Sequence, residues 1–254
     1  MTSYVSLQTI LRKEISRFLR IWSQTLLPSV ITMVLYFIIF GEIIGSRIQS
    51  VGDFSYIQFI APGLIMMAII TNAYSNVVSS FFGMKFQRSI EEILVSPTPS
   101  WVIIVGFTLG GVARGLLVGL LVTLVALFFT HLTVYSIVFV FIFVLLTAIV
   151  FSLAGMLNGI FAKKFDDVSI VPTFVLTPLT YLGGIFYSIS ALGEPWQTIS
   201  KFNPILYMVN GFRYGILGYS DINVYIGITI LVLFSVILFI VNLVLINRGV
   251  GLRQ

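Results

Sequence analysis

Cysteine is absent from the 254 residues, which excludes a disulfide, a thiolate metal site and a cysteine nucleophile. The single histidine, His131, excludes any site that needs two histidine ligands from this chain. Charge is scarce as well. Asp, Glu, Lys and Arg make up 9% of the sequence, against about 25% in soluble domains, so no water-facing surface can be assembled from it. A nucleotide site of the chain's own is also missing. A P-loop needs a glycine before its lysine so that backbone amides cradle phosphate, and none of Lys13, Lys85, Lys163, Lys164 or Lys201 follows a glycine. No basic or acidic tail points to nucleic acid.

Apolar residues fill the space that charge leaves. They make up 58% of the chain, the mean hydropathy is +1.09, and they come in runs long enough to cross a bilayer as helices. The fold class expected is an all-α integral membrane protein, with residues 1–254 forming one transmembrane domain. Six spans are predicted: Thr25–Gly45, Ile57–Phe82, Trp101–Phe129, Val134–Phe161, Val168–Tyr187 and Asn223–Ile246. Before them, residues 4–22 read as an amphipathic helix. Leu7, Leu11, Ile15, Phe18 and Trp22 form its apolar stripe, and Lys13, Arg17 and Arg20 lie off it, a pattern that suits a helix lying in the membrane interface. The first apolar run is long and ends at Gly41-Glu42 without a small-x-small pattern, which argues against a cleaved signal peptide. Residues 188–222 hold Pro195, Pro204 and several glycines yet stay aromatic. They are too broken for a span and too apolar for a solvated loop, so a re-entrant or interfacial segment is expected.

An even number of spans puts both termini on one side. That side then collects Arg12, Lys13, Arg17, Arg20, Lys85, Arg88, Lys163, Lys164, Arg248 and Arg253 of the 14 basic residues, which predicts cytoplasmic termini by the positive-inside rule. Arg47, Lys201 and Arg213 fall opposite. Within the spans, Glu42 lies near an outer end, where it reaches headgroups. Arg114 either pairs with polar groups of a neighbouring helix or snorkels to the near surface. No Asp occupies the middle of a span, which disfavours a proton relay and an intramembrane enzyme. Gly106, Gly110, Gly111, Gly115 and Gly119, then Gly155 and Gly159, stand at helix-packing spacing. Asn72, Ser75, Asn76 and Ser79 stripe the second span, either as interhelical glue or as the wall of a passage.

The loop at 83–99 is the most informative polar segment. Phe86, Ile90, Ile93 and Leu94 share an apolar face, with Arg88, Glu91 and Glu92 off it, and Pro97 and Pro99 end the helix. Such a helix either docks into a partner's groove or rests on lipid. Spacing alone does not separate the two.

Three stretches carry a resemblance: Arg88-Ser-Ile-Glu-Glu-Ile-Leu-Val-Ser-Pro-Thr-Pro99, Pro178-Leu-Thr-Tyr-Leu-Gly-Gly-Ile-Phe-Tyr187, and Phe202-Asn-Pro-Ile-Leu-Tyr207 followed by Gly211-Phe-Arg-Tyr214. In order and spacing the chain resembles the ABC-2-type permeases, the membrane subunits of bacterial ABC exporters. The resemblance implies six spans, an N-terminal interfacial helix and re-entrant outer helices. It implies that Lys85–Val95, with Arg88, Ile90, Glu91, Glu92, Ile93 and Leu94, is a coupling helix seated in a separate ATPase subunit, which holds the ATP and Mg. Lys163, Lys164, Asp166 and Asp167 would be a secondary contact. Two permease copies would form the path in the plasma membrane, with no catalytic residue and no cofactor on this chain. A secondary transporter or channel without a partner is the alternative.

Overall fold

The computed structural model describes residues 2–48 and 50–251. Arg253, expected on the side of the termini, lies outside them, as does the side chain of Glu42.

The architecture is all-α, as expected. The chain opens with α1 (Thr2–Arg20), a short α2 (Trp22–Thr25) and α3 (Leu27–Tyr36), which runs on as a π-helical stretch, Phe37–Ile44. The break at Leu26 has a local cause. Pro28 cannot donate to the preceding turn, so the helix restarts around it. A two-stranded ribbon follows, β1 (Ser50–Val51) paired antiparallel with β2 (Phe54–Ser55). Next come α4 (Tyr56–Phe86), α5 (Ser89–Val95), α6 (Ser100–Phe129) and α7 (Ile137–Phe161). Then α8 (Phe165–Val171), a π-helical Pro172–Leu176 and α9 (Thr177–Tyr181) form one nearly continuous rod. A 3₁₀ turn at Ile189–Ala191, α10 (Glu194–Lys201), α11 (Pro204–Leu217) and α12 (Val224–Arg248) complete the chain.

Among the described residues, five helical segments are long and apolar enough to cross a membrane: Trp22–Gly41, α4, α6, α7 and α12. The rod Phe165–Tyr181 is shorter, about 25 Å at the helical rise. Phe165 packs on Phe82 and Phe86 at one end of α4, and the turn beyond α9 brings Ile185 onto Gly63 at the other.

The central element is α4. Its apolar stretch is 78% buried, against 11% for α12 and 22% for Trp22–Gly41. Glycines make this packing possible. A Cβ at Gly111 would stand 2.6 Å from Val77 Cγ2 and 2.9 Å from the Ala73 carbonyl of α4. One at Gly155 of α7 would stand 2.5 Å from the Tyr74 carbonyl. Both faces of α4 therefore meet backbone rather than side chains, the close approach that helices without a hydrophobic driving force rely on. The second α6 ladder receives α1, since Gly106 faces Ile10 and Gly110 faces Glu14. Contacts therefore advance in the same direction along α1 and α6. The N-terminal helix runs alongside the first half of α6, with its Ile10–Glu14–Phe18 stripe buried. Of the expected stripe, Phe18 is buried, Leu7, Leu11 and Ile15 are only half-buried, and Trp22 is exposed.

Both described chain ends lie at one end of the bundle. The Thr98 hydroxyl donates to Ser6 Oγ, and Gly251 abuts the Ile160 carbonyl at the end of α7.

Candidate functional site

The terminal end of the bundle carries the α4–α5 turn. Lys85, expected to begin the coupling segment, belongs instead to the last turn of α4. It is buried, and its Nζ donates to the carbonyls of Ile160 and Ala162, both at 2.6 Å. These carbonyls close α7 and have no helical partner of their own, so a lysine there satisfies two orphan acceptors. Arg88 then turns the chain with φ 60°, a left-handed conformation that a non-glycine residue adopts at some cost. The turn redirects α5 across the bundle end.

On α5 the apolar face points inward. Ile90, 1% exposed, packs with Phe81, Met84 and Ile103, and Ile93 leans on the same cluster. The exposed residues are Glu91, Glu92, Leu94 and Val95, the last at 87%. Arg88 is exposed beside them. A partner approaching this end meets two carboxylates, a guanidinium and two aliphatic tips, while Ile90 and Ile93 anchor the helix from behind. Ser96 ends the helix by donating to the Ile93 carbonyl at 2.6 Å.

The second loop stands next to the first. Phe165 contacts Phe86 with ring centroids 4.8 Å apart, and Lys163, Lys164 and Asp166 are exposed around it. Asp167 is occupied. Its Oδ2 accepts from the backbone amides of Lys163 and Lys164 at 2.8 and 3.0 Å, holding the entry to α8, where a carboxylate also suits the helix dipole.

Deeper in the bundle, the polar stripe of α4 meets polar groups of α1, α3 and α6. Asn72 donates to Ser29 Oγ at 3.0 Å and accepts from Arg114 Nη2 at 3.0 Å. Arg114 also donates to the Thr25 carbonyl at 2.9 Å, beside the kink that Pro28 imposes. One turn along, Asn76 accepts from Arg17 Nη2 through both its carbonyl, at 2.9 Å, and its Oδ1, at 2.8 Å. Arg114 thus bonds polar groups of the neighbouring helices, level with the α1–α2 junction. Ser75 and Ser79, by contrast, do not join; Ser79 bonds the carbonyls of its own helix.

Sequence reasoning missed Glu14. It is fully buried and accepts from Ser80 Oγ at 2.5 Å, with Arg17 Nη2 at 3.2 Å. Its signal was available, because Glu14 stands one turn from both Ile10 and Phe18 and so falls within an apolar stripe. Arg213 was counted only as an outer charge. It is 0% exposed, and stacks 3.9 Å above the Phe59 ring. It donates to the carbonyls of Phe59 at 3.2 Å and Gly184 at 2.7 Å. Burial pulls its pKa down to about 10, with Asp221 and Tyr219 opposing. Gly184 needs its φ of +69° to present that carbonyl. Asn203 caps α11 and donates to the Leu179 carbonyl at 2.6 Å. The Pro178–Tyr187 and Phe202–Tyr214 stretches are thus two halves of one structural knot at the end away from the termini.

Comparison with known proteins agrees with this architecture. A family model described as ABC-2 type transporter matches residues 5–217. The inner membrane transport permease YadH of Escherichia coli (strain K12) is 61% identical over 251 residues, covering 99% of this chain and 98% of that protein. Nodulation protein J of Rhizobium leguminosarum bv. viciae is 25% identical over 232 residues, covering 89% and 90%. Nodulation protein J of Rhizobium meliloti (strain 1021) is 22% identical over 232 residues, covering 89% and 88%.

Proposed function

The chain belongs to the ABC-2 type transporter family, and from that premise we propose that it is the permease of an ATP-driven exporter, working as a dimer with a separate ATPase subunit in a bacterial inner membrane. The observation that carries the ATPase partner is α5. It is a short helix fixed from behind by Ile90, and it offers Arg88, Glu91, Glu92, Leu94 and Val95 outward at the end of the bundle. With no P-loop in the sequence, nucleotide energy has to arrive through such a contact. The exposed Lys163, Lys164 and Asp166 extend the same surface, because Phe165 joins the two loops.

In this reading the rod Phe165–Tyr181 is the sixth span, α10 and α11 form a re-entrant hairpin, and both termini are cytoplasmic. The direction of α11 supports the hairpin. Its start lies by Leu179 and its end by Tyr135, at the outermost turn before α7. The seam for a second copy is the edge made by α3 and the rod. The π-helical continuation of α3 and the turn beyond the rod adjoin through Phe40 and Phe186, 4.6 Å apart, and α3 and the rod expose Ile31, Leu35, Ile170 and Phe174. On ATP binding the paired ATPases close and carry α5 with them. This shifts the permease equilibrium only insofar as the two states differ in ATP affinity.

The test is co-purification with a co-expressed ABC ATPase subunit from the same organism. The pair is expected to elute as one complex, and Glu91→Lys with Glu92→Lys is expected to release the ATPase while the permease stays folded. An unchanged complex would remove α5 from the interface.

A further inference from the structure

Arg17 and Arg114 share their surroundings with one carboxylate, Glu14, and Glu14 bonds only the first of them. Arg114 is 8% exposed and has neutral partners alone, the Thr25 carbonyl and Asn72 Oδ1. The Nε atoms of both arginines are buried and have no hydrogen-bond partner among the described residues. The two guanidinium groups stand about one helical turn apart, since they grip Asn72 and Asn76 of the same helix. A buried cation without a counter-ion is costly, so this arrangement lacks one negative charge.

The site's depth says where that charge comes from. Arg114 bonds the carbonyl of Thr25, and one turn before Thr25 stand Trp22, Ile21 and Arg20, all exposed on the bundle surface. An exposed Trp beside an Arg at a span's start marks the headgroup level of a bilayer. Lipid phosphate lies at that depth, and a guanidinium pair matches phosphate oxygens in both charge and donor geometry. We propose that Arg17 and Arg114 form a binding site for the phosphate of a bilayer lipid, seated at the α1–α2 junction on the side of the termini. The site is independent of ATPase docking, because none of its residues lies on α5.

The full-length protein in detergent can be titrated with short-chain phosphatidylglycerol, read by melting temperature and by native mass spectrometry of the retained adduct. Wild type and Arg12→Gln, a change at an exposed position of α1, are expected to bind alike. Arg114→Gln is expected to bind about tenfold more weakly or worse, the factor attached to losing a charge-assisted hydrogen bond. Short-chain diacylglycerol, which lacks the phosphate, is expected to give no shift. Equal affinity in Arg114→Gln, or equal protection by diacylglycerol, overturns the site. Protection by inorganic phosphate at the same concentrations overturns the lipid as its source. Should Arg114→Gln fail to fold, Arg114→Lys and Arg17→Gln take its place. Wild-type affinity in both would also overturn it.

Discussion

Three residues show how burial redistributes roles that sequence position suggests. Ile90 and Glu91 are neighbours on α5, yet one faces the core and the other faces out. Ile90→Ala is expected to cost about 2–5 kcal/mol of stability by cavity formation, seen as a lower melting temperature, with ATPase affinity falling only as the fold does. Glu91→Ala is expected to leave the melting temperature unchanged and to lower coupling between ATP hydrolysis and transport. Arg213 behaves as a structural clamp. Arg213→Gln leaves at least one buried carbonyl unpaired, an expected loss of about 1–3 kcal/mol, and it is expected to raise proteolysis between α9 and α11. As an arginine, Arg213 stays protonated through the ordinary pH range. Melting measured from about pH 6 to pH 8 is therefore expected to show no titration from it.

Among the elements, long apolar helices are the ones the sequence announces most clearly, because a bilayer-spanning run needs no partner to be recognised. The edges of α4, α6, α7 and α12 fall within a few residues of expectation. The glycine ladders were also legible, though not which ladder meets which helix. Gly110 and Gly111 are adjacent in sequence, yet Gly110 faces α1 while Gly111 faces α4 and, at Ser152, α7, a division that depends on where the neighbours sit. For the same reason Gly111→Leu, placed against the Ala73 carbonyl, is expected to be the more disruptive of the pair. Overpacking there costs about 1–3 kcal/mol or more, readable as lost monodispersity in detergent. The N-terminal helix was harder to read. Its basic face was plain, but of the expected stripe only Phe18 is fully buried, because Ile10 and Glu14 take the other inward positions. A carboxylate can sit there only because Ser80, Asn76 and Arg17 converge on it, and two of these partners, Ser80 and Asn76, come from distant sequence. The turn chemistry of the knot away from the termini was invisible for a similar reason: Gly184 and Arg213 explain each other only once folded.

For the whole molecule, topology is open to direct measurement because the chain has no cysteine, so each introduced thiol reports alone. Val95→Cys is expected to react with an impermeant maleimide only after the cells are opened, and Gln197→Cys in intact cells; the reverse pattern would invert the protein in the membrane. Phe174→Cys, on the proposed seam, is expected to cross-link two copies. The unequal burial of the helices has a mechanical consequence. With α4 clasped by glycine-lined neighbours on two sides, it serves as a keel that has little freedom to tilt. Any large rearrangement must then fall to the thinly held rim, where the kinked first span and the π-interrupted rod already carry the bends that a hinge would use.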